Sequence, residues 1–135
     1  MNKHKCRTYF LIAGGFEPEE ILRKLEVKTD KIQRRGEINH KKKTISIRDE
    51  IKIGFNDKYN VDINEMIRET LKEIISKAEA LAELKKEYDL DYSLVLVPEI
   101  YSDSEEPNQL LSLDRDIIEF LYLTDTVLDL DYYVY

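Results

Sequence analysis

Two identical tetrapeptides hold the residues best placed to do chemistry, Asp89-Leu-Asp-Tyr92 and Asp129-Leu-Asp-Tyr132. Each leads from a helical pattern into a run with strand character. Side chains alternate between the two faces of a strand. Leu90, Tyr92, Leu94 and Leu96 therefore share one face, with Asp89, Asp91 and Ser93 on the other. Likewise Leu128, Leu130, Tyr132 and Val134 oppose Asp129, Asp131, Tyr133 and Tyr135. Were the two strands neighbours in register, four carboxylates would form one patch. Such a patch could hold a hard cation, which takes oxygen ligands. It could also raise one carboxyl's pKa by like-charge repulsion and make it a general acid. No Asp-x-Asp-x-Asp-Gly loop supports the cation, and aspartates also solvate the open face of a one-sided sheet. The solvating reading is the simpler, and no metal is expected.

The loop Ser102-Asp-Ser-Glu-Glu-Pro-Asn108 adds Asp103, Glu105 and Glu106 to the acidic set. Tyr101, Tyr133 and Tyr135 fall where a sheet edge or open face is expected. Tyrosine suits protein interfaces because it packs while leaving a polar tip exposed. The partner-binding candidates are thus Asp89, Asp91, Asp103, Glu105, Glu106, Asp129, Asp131, Tyr133 and Tyr135.

Other chemistry is poorly supplied. His4 and His40 lie in basic segments expected to be exposed, and with Cys6 they fall short of a zinc ligand set. Cys6 is expected to be inert or a surface thiol. Gly14-Gly15 follows a strand but lacks the further glycines and the Lys-Ser/Thr of a phosphate loop. Lys41-Lys-Lys43 with Arg34-Arg35 is the basic cluster. It has no interleaved aromatics, and a pI near 5.0 opposes nucleic-acid binding. No catalytic residue and no cofactor is assigned.

The totals bound the rest. A chain of 135 residues, 42% hydrophobic and 36% charged, fits one globular domain over residues 1–135. No apolar run approaches the ~20 residues that span a bilayer. A lone cysteine permits no internal disulfide, which fits a reducing cytoplasm. The net charge of −7 divides into +6 over residues 1–60 and −13 over 61–135. Solvated faces of opposite sign are the bland reading. An acidic surface that steers a basic partner, or self-association of unlike faces, is the sharper one.

These residues need elements to hold them. Tyr9-Phe-Leu-Ile12 is apolar without a break, which predicts a central strand covered on both faces. Pro18 stands where a first helical residue should, with Ile21, Leu22 and Leu25 as the buried stripe. Val27 to Ile38 reads as an extended arm turning at Gly36, and Asn39 to Lys43 as a hairpin connection. Ile45, Ile47, Ile51, Ile53 and Phe55 alternate, predicting one long bulged strand in preference to a hairpin at Arg48–Glu50. Gly54 to Asn60 reads as a polar loop. Asp62 caps a helical pattern reaching Glu87, with a break expected near Ser76-Lys77. Tyr92 to Ile100 is a strand, Leu110 to Leu113 a possible short one, Asp114 a helix cap, and Leu128 to Tyr135 a closing strand.

Gly14-Gly-Phe-Glu-Pro-Glu-Glu-Ile21, Leu25, Thr29 and Arg35-Gly-Glu37 resemble the start of a bacterial family, domain-of-unknown-function family 4279. Leu111-Ser-Leu-Asp114 and Leu128-Asp-Leu-Asp-Tyr132 are similar to its closing helix and strand. The tryptophan that members usually carry in their middle strands is absent here. The resemblance implies a fold and brings no established activity.

The elements predict a two-layer α+β sandwich with a mixed, mostly antiparallel sheet and helices mainly on one face. It is broadly ferredoxin-like with an extra helix–strand unit. Two functions compete. One is a non-catalytic binding module, of immunity or adaptor type, that offers the acidic Asp/Tyr surface to a basic protein. The other is a small enzyme or a ligand- or cation-binding domain that uses the clustered carboxylates.

Overall fold

The architecture grows outward from the first strand. A computed structural model describes residues 3–59, 62–106 and 111–135. Strand β1 (Lys5–Gly15) lies inside the sheet, antiparallel to β5 (Asp49–Tyr59) on one side and β6 (Asp89–Ile100) on the other. β2 (Lys31–Gln33) adds outside β5, and β7 (Thr126–Leu130) outside β6. β8 (Tyr133–Val134) continues beside β6, and both β7 and β8 run parallel to it. This is the expected mixed, mostly antiparallel sheet in a two-layer α+β sandwich.

The helices pack against one face and build one core with it. Phe10, Ile12, Ile51, Ile53, Leu94 and Leu96 meet Ile21, Ile67, Leu71, Leu81, Ile117 and Phe120 there. On β1, Cys6, Thr8, Phe10 and Ile12 are buried, whereas Arg7, Tyr9 and Leu11 are half-buried on the other face. The expectation that both faces of this run are covered is therefore corrected. Its outer face stays apolar because neighbouring side chains shield it. Tyr9 stacks on Phe55 with ring centroids 6.4 Å apart, and the Lys52 ammonium lies 4.7 Å from the Tyr9 ring centre.

Helix α1 (Pro18–Leu25) starts at its proline as predicted and ends where Glu26 turns left-handed. The basic hairpin forms between β3 (Ile38–Asn39) and β4 (Thr44–Ile45), apart from the main sheet. The predicted long strand from Ile45 to Phe55 is not observed. The chain leaves the hairpin at Ile47, 82% exposed, and enters β5 at Asp49, whose buried carboxylate accepts hydrogen bonds from the Phe16 and Arg35 amides. A bulge then sets Gly54 and Phe55 together against Tyr9, since Thr8 pairs with Asn56 but Phe10 with Ile53. Gly54 has a φ of +68°, and a Cβ there would lie 2.1 Å from the Thr70 carbonyl oxygen, so no other residue fits. The bulge reverses the alternation, burying Asn56 and turning Phe55 outward. It also keeps the ladder going to Tyr59, which corrects the polar loop expected from Gly54 onward.

Asp62 caps α2 (Ile63–Leu71), its carboxylate accepting the Glu65 amide at 3.1 Å. The helical pattern breaks as expected, through a 3₁₀ turn at Ile75–Lys77, before α3 (Ala78–Glu87). Leu111 to Leu113 form no strand; Leu110 lies outside the described residues. Asp114 precedes α4 (Arg115–Leu123) without a side-chain cap, because its carboxylate pairs with Arg68 on α2. The closing strand is divided into β7 and β8 at Asp131-Tyr132.

Ile12→Ala is expected to lower stability by about 2–5 kcal/mol, as for well-packed core residues, and Leu11→Ala by less than about 2. Asp62→Ala is expected to cost about 0.5–2 kcal/mol through the lost cap. Chemical denaturation of the three variants measures the order, and equal losses at Leu11 and Ile12 would contradict the assignment of faces.

Candidate functional site

The Asp-Leu-Asp-Tyr segments do lie on adjacent strands, but out of step. Thr126 pairs with Tyr92, which places Asp129 opposite Val95 and Val127 opposite Ser93. Asp129 therefore stands four strand positions beyond Asp91, roughly 13 Å at ~3.3 Å per residue. The single patch of four carboxylates that pairing in register would give does not form. The connection through α4 enters the sheet at the level of Tyr92, carrying the second aspartate pair past the first. Asp91 pairs with Arg48, while Asp89 is exposed at the same end of β6. A cleft of about 340 Å³ lies between Arg48, Lys85, Asp91, Asp125 and Asp129, and Lys85 pairs with Asp125 at 3.2 Å. Among the described residues no three His, Cys, Asp or Glu side chains are grouped to hold a metal ion.

Asp129, Asp131, Tyr133 and Tyr135 do come together along the β7–β8 edge. The Asp131 amide donates to the Leu96 carbonyl at 2.9 Å, and the Tyr133 hydroxyl donates to the Asp131 carboxylate at 3.3 Å. Tyr135 stacks between Tyr101 and Tyr133, with ring centroids 5.0 and 6.5 Å away. Its amide donates to Ile100, and its carbonyl accepts the Ser102 amide. All four side chains are exposed. On the sheet face that no described helix covers, Val95 and Val97 are buried by their neighbours alone. The Tyr9 hydroxyl beside them is held above its usual pKa by burial, then by Glu50 and Asp129.

The loop bearing Asp103, Glu105 and Glu106 follows the far end of β6, roughly 36 Å from Asp89 at ~3.3 Å per residue. All three are exposed. Its anchor is a residue misjudged from sequence. His4, expected at the surface, is 1% exposed. Its Nδ1 accepts the Tyr101 amide at 3.1 Å and its Nε2 donates to the Glu106 carbonyl at 3.1 Å. Both loop ends are thus held by one neutral imidazole. The acidic candidates form two groups: Asp103–Glu106 with the β7–β8 edge, and Asp89/Asp91 at the opposite end.

Asp49 was also missed, although an aspartate inside an apolar alternation is a visible signal. Its carboxylate joins Phe16 to Arg35 and so brings the two segments carrying the family resemblance to one cleft of about 470 Å³. Arg34 there pairs with Glu19. Cys6 is fully buried, and burial pushes its thiol up to about 11.

The family model described as Domain of unknown function (DUF4279) matches residues 4–135. Neither a curated protein nor a solved structure matches the chain. The match spans nearly the whole sequence, and the chain belongs to that family.

Cys6 is expected to stay unmodified by a thiol reagent in the native state at pH 8 and to react fully once unfolded. His4→Ala is expected to speed hydrogen exchange at the Tyr101 amide while leaving the centre of β6 protected. Unchanged exchange at Tyr101 would remove the anchoring role.

Proposed function

We propose that this DUF4279 family member is a non-catalytic binding module that takes a basic protein partner on the surface formed by Asp129, Asp131, Tyr133 and Tyr135. One observation carries the reading. Asp129 and Asp131 stand together, exposed and without an ion pair among the described residues, whereas four other acids along this side have one. Asp57 pairs with Lys5 at 3.3 Å, Glu99 approaches Arg7 at 4.0 Å, and Asp91 and Asp125 are paired with Arg48 and Lys85. An unneutralised acidic pair beside stacked tyrosines suits a partner that brings its own cations and an apolar contact. Asp103, Glu105 and Glu106 extend the acidic rim at the end where Tyr135 is held. Asp89 and Asp91 lie outside this surface.

The partner is a protein rather than a nucleic acid, since acidic groups repel phosphates. A cytoplasmic setting accords with the buried single thiol. No described helix is long and apolar enough to cross a membrane. The competing reading, a small enzyme or ligand site built on carboxylates, would use the cleft between Asp91 and Asp129. Arg48 and Lys85 already neutralise most of its charge, so it is the weaker of the two.

A partner recovered from the native host is expected to associate about tenfold more slowly with Asp129→Lys/Asp131→Lys, the scale of electrostatic steering. Raising salt from about 0.05 to 0.5 M weakens binding to the native protein by the same route. Surface plasmon resonance measures both. A partner indifferent to salt and to the double reversal would sink the acidic-surface reading. Saturable turnover of a small substrate, abolished by Asp129→Asn, would replace it with the enzyme reading.

A further inference from the structure

We propose that the partner arrives as an extended basic segment that adds to the sheet as a strand along the free edge of β7. The inference rests on the binding reading above and specifies the form of the partner. β7 ends the sheet on its side. The Asp131 amide points to β6, where it donates to Leu96. Successive residues of a strand point their backbone groups to opposite sides. Hence the amides and carbonyls of Leu128 and Leu130 point away from β6, towards the open edge.

The two edges of the sheet are finished differently. On the far side, β2 is three residues long and carries Lys31. Where β2 stops, the Asp30 carboxylate accepts the Phe55 amide at 2.7 Å and so occupies a group that another strand would need. Short length, lysine and capped amides are the usual protections of an edge. β7, Thr126-Val-Leu-Asp-Leu130, has neither lysine nor proline, and Val127 is 63% exposed. Its outward backbone groups have no partner among the described residues. One edge is short and partly capped, and the other is available.

Charge selects the occupant. A second copy pairing edge to edge would set Asp129 and Asp131 against their own twins, and like charges across strands are destabilising. A strand bearing Lys or Arg on alternate positions would place them on the open face beside Asp129 and Asp131. Its intervening side chains would fall on the face of Leu128 and Leu130, so these are apolar. This is strand addition, in which main-chain hydrogen bonds supply affinity and alternate side chains supply choice.

The probe is an acetylated, amidated octapeptide of alternating Lys and Val, followed by fluorescence anisotropy at low salt. Leu130→Pro removes an outward amide while the Asp129 and Asp131 bonds to β6 remain, and proline is tolerated where the amide faces outward on an edge strand. Leu130→Ala keeps the amide. Binding is expected to weaken about tenfold in Leu130→Pro and to change little in Leu130→Ala, with backbone bonds carrying the affinity. Circular dichroism checks that both remain folded. Two analogues, N-methylated at every Lys or at every Val, give an independent measure on the native protein, and one of them loses binding. If both analogues and Leu130→Pro bind like the native pair while Asp129→Lys/Asp131→Lys does not, strand addition is wrong and the acidic-surface reading stands. Binding that ignores the charge reversal as well defeats both. Absence of peptide binding, or dimers in sedimentation that Leu130→Pro dissolves, overturns a basic strand as the occupant.

Discussion

The antiparallel ladder between β1 and β6 is the constraint from which the rest follows. It runs without a break from Lys5 opposite Glu99 to Gly15 opposite Asp89. A slip of β6 by one residue would turn Leu94 and Leu96 to the open face while Phe10 and Ile12 stayed on the core. The ladder therefore decides which residues the helices cover and which remain outside. At its end the backbones approach so closely that a Cβ on Gly14 would lie 2.0 Å from the Asp89 carbonyl oxygen. The glycine is needed for contact between strands and not for a turn.

The second ladder of β1, to β5, has a different task. It must meet the last turn of α2 as well as the sheet, and the bulge at Gly54 and Phe55 reconciles them. The Thr70 hydroxyl donates to the Gly54 carbonyl at 2.7 Å, so the helix is fastened to the bulge itself. One displaced residue thus seats α2 on the core and turns Phe55 onto the open face against Tyr9. The chemistry of that face is partly a by-product of helix packing on the other.

Much of the fold was legible because local cues coincide with tertiary ones. Pro18 and Asp62 announce helix starts through backbone groups that no helix can satisfy internally. The apolar run at Tyr9 announces a central strand because its side chains call for burial and buried polar backbone groups must then be paired on both sides. The helix break near Ser76-Lys77 follows from a length that the domain cannot accommodate. The failures are of another kind. The offset of Asp129 from Asp91 depends on where a long crossover enters the sheet, and no alternation pattern reports that. Asp49 and His4 look polar and exposed by composition, yet each is buried because it joins backbone segments far apart in sequence. The alternation shows which aspartates face outward, but not which of them the ladder brings together.

The central place of β1 also has a kinetic meaning. The chain is made from its amino end, and the innermost strand is synthesised before either of its partners. Its partners are supplied by residues 49–59 and 89–100. At ~5–20 residues per second, Tyr9 to Ile12 wait roughly 2–9 s for the first partner and about as long again for the second. During that interval an unbroken apolar run has neither of its strand partners. The strand that organises the finished protein is the one that waits longest for its partners while the ribosome is still at work.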